Sequence, residues 1–125
     1  MKKVLILFMF LSVSLFAKVE WGDMFDVYDD AKASNKIVMV MLSRKGCPGC
    51  EYMKTVVFED KTVEKLLQEN FLSVELDVQE DFVPQDLEYF ATPTFYFLDK
   101  DEKILKRLNG GLKVKEFIDI LQKLK

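Results

Sequence analysis

Two cysteines directly behind a run of apolar residues constrain this chain more than any other feature. Cys47 and Cys50 are the only cysteines in a sequence of 125 residues. They follow residues 37–42, six apolar residues typical of a central parallel strand that is covered on both faces. A Cys-X-X-Cys pair that opens a helix behind such a strand allows the first sulfur to become a stabilised thiolate and the second to close a disulfide with it. The pattern predicts a redox site.

The first 17 residues have the pattern of an export signal. Lys2 and Lys3 form a basic segment, and residues 4–11 are the first part of an apolar stretch. Ala17 is a small residue after which a signal peptidase could cleave. We therefore predict a signal peptide at residues 1–17. Leu15, near the cleavage point, is bulkier than the small residue usually found there, so an uncleaved membrane anchor is an alternative. Against it, the apolar stretch is shorter than the roughly 20 residues needed to span a membrane.

The remaining residues, 18–125, are predicted to form one domain. Without Lys2 and Lys3, 16 of the 18 basic residues remain against 21 acidic ones, a formal net charge of −5 that argues against nucleic acid as a partner. The chain contains no histidine, the most common metal ligand and general base, and we predict neither a metal nor a cofactor. In exported domains, cysteines are usually spread along the chain in disulfides that stabilise the fold. A disulfide between Cys47 and Cys50 would close a loop so short that it restrains the unfolded chain little and adds little stability. The cysteine pair therefore points to chemistry.

The hydrophobic pattern predicts an α/β domain. A β-α-β unit followed by a hairpin and a closing helix gives a mixed sheet with helices on both faces. We expect Trp21, Phe25 and Tyr28 to lie in the core. The predicted elements are a helix at 21–34, a strand at 37–42, a helix at 47–55, a helix capped by Asp60, a strand at 71–78, one or two helical turns at 84–90, strands at 94–98 and 104–108, and a final helix from Val114.

This arrangement resembles the thioredoxin superfamily over the whole predicted domain. The resemblance rests on the strand and cysteine pair together with Asp77, Thr92-Pro93-Thr94 and Gly110. It implies a thioredoxin fold, with its central mixed sheet, and thiol-disulfide oxidoreductase activity. Residues 55–63 are most similar to the periplasmic domain of transmembrane thiol-disulfide interchange proteins. That similarity implies a reductase of protein disulfides that receives its electrons from a membrane donor. Together with the export signal, it leads us to expect a periplasmic protein, which we predict to be a monomer.

The resemblance also implies roles for individual residues. Cys47 would attack the substrate disulfide, and Cys50 would resolve the mixed disulfide. Pro93 would be a cis-proline that lies against the cysteine pair, and the backbone of Thr92 would pair with the substrate. Gly46 stands where many thioredoxins have tryptophan, which predicts a more open approach for the substrate.

A second departure from the family concerns proton transfer. Many thioredoxins bury an aspartate six residues before the first cysteine, and this chain has Met41 there. We therefore expect Glu51 or a water molecule to act as the base for Cys50. Arg44 and Lys45 either add positive potential near the first cysteine or belong to a solvated loop.

The two residues between the cysteines, Pro48 and Gly49, do not by themselves decide the direction of electron flow, because reduction potentials in this fold span about −270 to −120 mV. A disulfide oxidase or isomerase is therefore an alternative, although the absence of histidine between the cysteines favours a reductase. A binding module around Gly46, Pro93 and Phe82 is another alternative.

A thiolate carrier for Cu(I) is the remaining alternative. Cys47 and Cys50 would be its ligands, and Met53, one turn further on, is the best placed methionine to assist them. Met39 and Met41 alternate on the predicted central strand and are better explained as core residues.

Overall fold

A four-stranded mixed sheet forms the centre of the computed structural model, which describes residues 19–125. The sheet order is β2-β1-β3-β4, with β1 parallel to β2 and the other neighbours antiparallel. The strands are β1 (Ile37–Ser43), β2 (Phe71–Asp77), β3 (Thr94–Leu98) and β4 (Ile104–Asn109), and the helices are α1 (Val27–Ser34), α2 (Pro48–Tyr52), α3 (Lys61–Asn70) and α4 (Val114–Leu124). The predicted signal peptide at residues 1–17 lies outside the described residues. Within residues 19–125, no helix is both long and apolar enough to span a membrane.

Alternate residues of β1 face two different apolar clusters. Met39 and Met41 pack with side chains from α2, α3 and α4, whereas Val38, Val40 and Leu42 pack with α1. All five are fully buried, as expected for a central strand that is covered on both faces. The predicted fold class, a mixed sheet flanked by helices on both faces, is therefore confirmed.

A cluster of phenylalanine rings joins the helices to the sheet on the side of the cysteine pair. Phe117 of α4 is fully buried, and its ring centroid lies 5.6 Å from that of Phe95 and 5.7 Å from that of Phe58. These are separations at which tilted aromatic pairs stabilise each other by about 0.5–1.5 kcal/mol beyond burial. Nearby, Asp60 caps α3 as predicted, since its carboxylate accepts hydrogen bonds from the N–H groups of Thr62 and Val63.

The helix predicted from residue 21 begins only at Val27. Trp21 instead forms a bridge with Ser73 beside the edge of β2, and the Asp23 carboxylate accepts a hydrogen bond from the N–H of Phe25. This local bond replaces the first helical turn. The prediction that Trp21 and Phe25 lie in the core is wrong, since they are 37% and 86% exposed. Tyr28 is partly buried.

Two other predicted helices also differ from the structure. Residues 84–90 form a turn, closed by a hydrogen bond from the Leu87 N–H to the Pro84 carbonyl, and no helix. The Glu88 carbonyl is engaged by the hydroxyl of Tyr96, 2.7 Å away, and so is directed toward β3. The helix predicted at 47–55 is α2, which continues directly as a π-helical segment, Met53–Val57.

Candidate functional site

Cys47 and Cys50 form a disulfide at the start of α2, with their Cα atoms 5.3 Å apart. Cys47 is the N-cap residue of the helix, and its Sγ accepts a hydrogen bond from the backbone N–H of Cys50 at 3.2 Å. Both cysteines are buried, at 4% and 2% exposure. An N–H group directed at the first sulfur is the arrangement that stabilises a thiolate after reduction.

The local sequence explains how the loop delivers Cys47 to the helix start. Gly46 has a φ of 73°, a left-handed conformation that glycine adopts without a steric penalty. Pro48 occupies the first helical position, where its missing N–H costs no hydrogen bond. Gly46 and Pro48 are both exposed, so the side of the loop that precedes the disulfide faces solvent.

Pro93 packs directly against the segment between the cysteines. The Thr92–Pro93 peptide bond is cis, as the resemblance implies, and Pro93 is buried. A Cβ atom added to Gly49 would lie 3.1 Å from Pro93 Cδ, which is tighter than most real contacts. The Pro93 carbonyl accepts a hydrogen bond from the Gly110 N–H at 2.8 Å, which ties this loop to the end of β4. The structure therefore places Pro93 against Gly49, the residue that directly precedes Cys50.

Met53 lies in the same buried apolar cluster as the two cysteines. Its side chain is fully buried, and its Sδ accepts a hydrogen bond from the N–H of Leu112 at 3.4 Å. Within residues 19–125, no group of three or more histidine, cysteine, aspartate or glutamate side chains is arranged to hold a metal. Met53 has the contacts of a packing residue, and these give the Cu(I) carrier hypothesis no support.

The family assignment follows from a sequence comparison. A family model described as the thioredoxin-like domain matches residues 24–125. The chain belongs to this family. No curated protein sequence matches the chain significantly.

Solved structures give the same fold. The thioredoxin-like chain is 28% identical to a thioredoxin from Thermus thermophilus, with a TM-score of 0.72, and the match covers 86% of this chain and 87% of that one. It is 16% identical to the oxidised C-terminal domain of DsbD from Neisseria meningitidis, with a TM-score of 0.66 and coverage of 84% and 98%. The second likeness shows the fold alone. Fold, family and the Cys47–Cys50 disulfide identify the chain as a thiol-disulfide oxidoreductase.

The charged residues predicted to support this thioredoxin-like site all lie at its surface. Arg44, Lys45 and Glu51 are exposed. Lys45 pairs with Glu80 at 3.5 Å, in a contact that solvent screens because the two side chains are 82% and 65% exposed. These contacts favour the solvated-loop interpretation of Arg44 and Lys45.

Phe82 lies at a surface cavity near the start of α1. Its side chain is 75% exposed and lines a surface cavity of about 470 Å³ together with Phe25 and Tyr28. Gly46 and Pro93 do not line that cavity. The cavity beside Phe82 therefore does not extend to the other two residues of the expected binding face.

Sequence reasoning missed one residue that the structure places on the face of the sheet beneath the cysteine pair. Glu75 of β2 is the register partner of Met41 on β1, and its Oε2 lies 2.6 Å from the Nζ of Lys54 in the π-helical segment. The alternation of β2 already puts Glu75 on the same face as the buried Phe71. What the sequence does not contain is the register with β1, which brings Glu75 beside the methionine.

Proposed function

We propose that the chain is an exported reductase of protein disulfides that works in the periplasm and receives its electrons from a membrane thiol-disulfide donor. The main support for a reductase, rather than an oxidase, is the small number of groups that could stabilise a Cys47 thiolate. Within the described residues its Sγ accepts one hydrogen bond, from Cys50 N–H, and the nearby cations are solvent-exposed. A strong oxidant of this fold owes its high potential to a stabilised reduced form. With one N–H group to stabilise the thiolate, the reduced form is favoured less than in a strong oxidant, and the dithiol is the better electron donor.

The geometry supports a two-step exchange. The Cys47 thiolate attacks one sulfur of the substrate disulfide, so that a mixed disulfide forms and the other substrate sulfur leaves as a thiolate. Cys50 then loses its proton and attacks Cys47 Sγ, which closes the Cys47–Cys50 bond and releases the second substrate thiolate. Two electrons pass from the protein dithiol to the substrate disulfide. Thr92 is partly exposed immediately before Pro93. We propose that its backbone pairs with an extended substrate chain, the role that the resemblance implies.

The proposed location rests on the sequence alone. The basic start, the apolar stretch and Ala17 support export with cleavage after residue 17. Mass spectrometry of the protein recovered from the periplasm of a bacterial host tests this: a chain that begins at Lys18 supports export, and an intact chain retained in the cytoplasm contradicts it. The membrane donor rests on the similarity of residues 55–63 to the interchange proteins.

Cysteine variants test the exchange itself. We expect Cys47→Ser to abolish the reduction of insulin disulfides by dithiothreitol-regenerated protein, because no nucleophile remains. Cys50→Ser should accumulate mixed disulfides, which gel electrophoresis without a reducing agent detects. Ser34→Ala, at the far end of α1, is the matched control and should retain full activity. Turnover that persists in Cys47→Ser would refute the proposed reaction.

A further inference from the structure

The position that holds a buried acid in many thioredoxins is apolar here. Met41 is fully buried in the same cluster as Cys50 and Met53 and cannot accept a proton. Glu51 lies in the first turn of α2, where its side chain is exposed to solvent. The second step of the exchange nevertheless requires that the buried Cys50 thiol lose its proton.

A carboxylate lies one strand away, on the same face of the sheet. Glu75 is directly opposite Met41 in the parallel register between β1 and β2. Neighbouring strands are about 4.8 Å apart, so adjacent side chains on one face lie within reach of the same helix above them. Here that helix is α2 with its π-helical continuation, which also carries Cys50.

An ion pair connects this carboxylate to the helix of the cysteines. Lys54 follows Cys50 by four residues, a spacing that puts two side chains on the same helical face. Its Nζ lies 2.6 Å from Glu75 Oε2, and the two side chains are only 33% and 25% exposed. Oε2 itself is buried, and within the described residues it accepts no directed hydrogen bond, so the contact with Lys54 is one of charge. A carboxylate oxygen accepts more than one hydrogen bond, so Oε2 can still accept a second donor beside Lys54.

We propose that Glu75, held by Lys54, replaces the missing aspartate and takes up the proton of Cys50 during resolution of the mixed disulfide. In this step the Cys50 S–H bond breaks and its proton passes to the Glu75 carboxylate. The resulting thiolate attacks Cys47 Sγ, the Cys47–Cys50 bond forms, and the substrate sulfur leaves with the electron pair of the broken disulfide. The carboxylic acid then returns its proton to solvent. This inference deepens the exchange chemistry described above and rests on it.

Other charged groups near Glu75 are arranged differently. Asp77 lies two residues further along β2 and uses its carboxylate to accept a hydrogen bond from the N–H of Gln79. Glu59 and Glu64 line a small cavity with Lys54 and Phe58, on the side of Lys54 toward α3. Met41, the facing residue of β1, does not titrate. Glu75 is the carboxylate that combines a buried oxygen with the register position beside Met41.

The two steps can be timed separately with an aromatic disulfide, 5,5′-dithiobis(2-nitrobenzoate). Reduced protein releases one coloured thiolate when Cys47 attacks and a second when Cys50 resolves the mixed disulfide. We expect Glu75→Gln to slow the second release by about 10²-fold at pH 7, the lower range for loss of a general base, and to leave the first within about twofold. The second release in Glu75→Gln should then speed up about tenfold per pH unit below pH 8, because it depends on spontaneous ionisation of the thiol.

A rescue variant distinguishes proton transfer from a structural effect. Met41→Asp in the Glu75→Gln background returns a carboxylate to the same face, one strand away, and should recover most of the lost rate. Should Glu75→Gln not fold, the double variant Lys54→Met with Glu75→Met removes both charges together, which proteins tolerate better than a broken pair. It should show the same slow second release. Glu69→Gln, an exposed glutamate of α3, is the matched control.

The outcomes separate this inference from the proposed function. Two releases of normal amplitude, with the second equally fast in Glu75→Gln and wild type, would overturn the role of Glu75 and leave the oxidoreductase chemistry intact. A second release that slows in Glu51→Gln instead would assign the base to the exposed residue. Absence of both releases in the wild-type protein would contradict the exchange reaction itself.

Discussion

At the scale of single residues, the site depends on how closely Gly49 approaches Pro93. The contact joins the segment between the cysteines to the loop that the resemblance assigns to substrate binding, so a shift of either one moves the other. A methyl group at Gly49 would lie 3.1 Å from Pro93 Cδ, so it fits only if the proline moves by a few tenths of an ångström.

We expect Gly49→Ala to lower the free energy of unfolding by about 1 kcal/mol. Overpacking against the buried Pro93 costs about 1–3 kcal/mol, and the better helix propensity of alanine offsets part of that cost. Disulfide exchange with a protein substrate should slow as well, because the proline shifts. Urea unfolding of the oxidised protein and insulin reduction measure the two effects.

Gly111→Ala provides the comparison for this variant. A Cβ at Gly111 would meet its neighbours at 3.7–3.9 Å, an ordinary contact distance, although one neighbour is the carbonyl oxygen of Gly49. We expect its stability to stay within about 0.5 kcal/mol of wild type. Equal losses in both variants would show that the approach of Gly49 to Pro93 is not the limiting contact.

The sequence predicts the role of a residue when that role depends on residues close to it along the chain. The spacing of Cys47 and Cys50 and the position of Pro48 are visible in the sequence itself. The roles of Glu75 and Met53 are not, because they come from contacts with residues far away in the chain, at Met41 and Leu112. Sequence reasoning accordingly points to the exposed Glu51 or a water molecule as the base, and it considers Met53 only within the alternative of a Cu(I) carrier.

At the scale of elements, the apolar pattern predicts buried elements better than it predicts surface helices. The strands β1 and β3 and the final helix are predicted correctly because their apolar residues form continuous or regularly spaced buried sets. The start of α1 is predicted too early because the spacing of Trp21 and Phe25 imitates a helical face. Asp23 instead bonds the local backbone, and Trp21 runs beside the edge of β2.

Helix α1 also carries a group that links stability to alkaline pH. Burial, and then the negative charges of Glu102, Asp86 and Asp99, raise the pKa of Tyr28 to about 12, from 10.0. The folded protein therefore holds the Tyr28 proton more tightly than the unfolded chain does. This contribution to stability is complete below pH 10 and is lost as the pH rises from 10 through 12.

We expect Tyr28→Phe to make the free energy of unfolding fall less steeply between pH 10 and pH 12. The slope becomes shallower because phenylalanine has no proton to lose, so the stability that depends on the Tyr28 proton is absent at every pH. Burial also raises the pKa of Tyr96, against the opposing charge of Arg107, so part of the alkaline sensitivity should remain in the variant. Urea unfolding at a series of pH values measures the slope, and an unchanged slope would contradict the role of Tyr28.

At the scale of the whole molecule, the fold delivers one reactive disulfide to the end of a buried strand and surrounds it with packing residues. Cys47 and Cys50 are nearly inaccessible, and the cations of the preceding loop are solvated. Met53 belongs to the same buried cluster as the cysteines, and Pro93 packs against Gly49. The fold and the cysteine pair follow from the sequence. The direction of electron flow does not, because it depends on small differences in how the thiolate is stabilised.

The equilibrium reduction potential of the Cys47–Cys50 pair tests the central claim most directly. Protein that begins at Lys18 would be equilibrated with a series of dithiothreitol ratios, and the fraction of free thiols measured after acid quenching. A value near the thioredoxin end of the range, about −270 mV, is predicted from the sparse stabilisation of Cys47 Sγ. A value near −120 mV, roughly the potential of the oxidising members of this fold, would contradict the account and make the protein a disulfide donor.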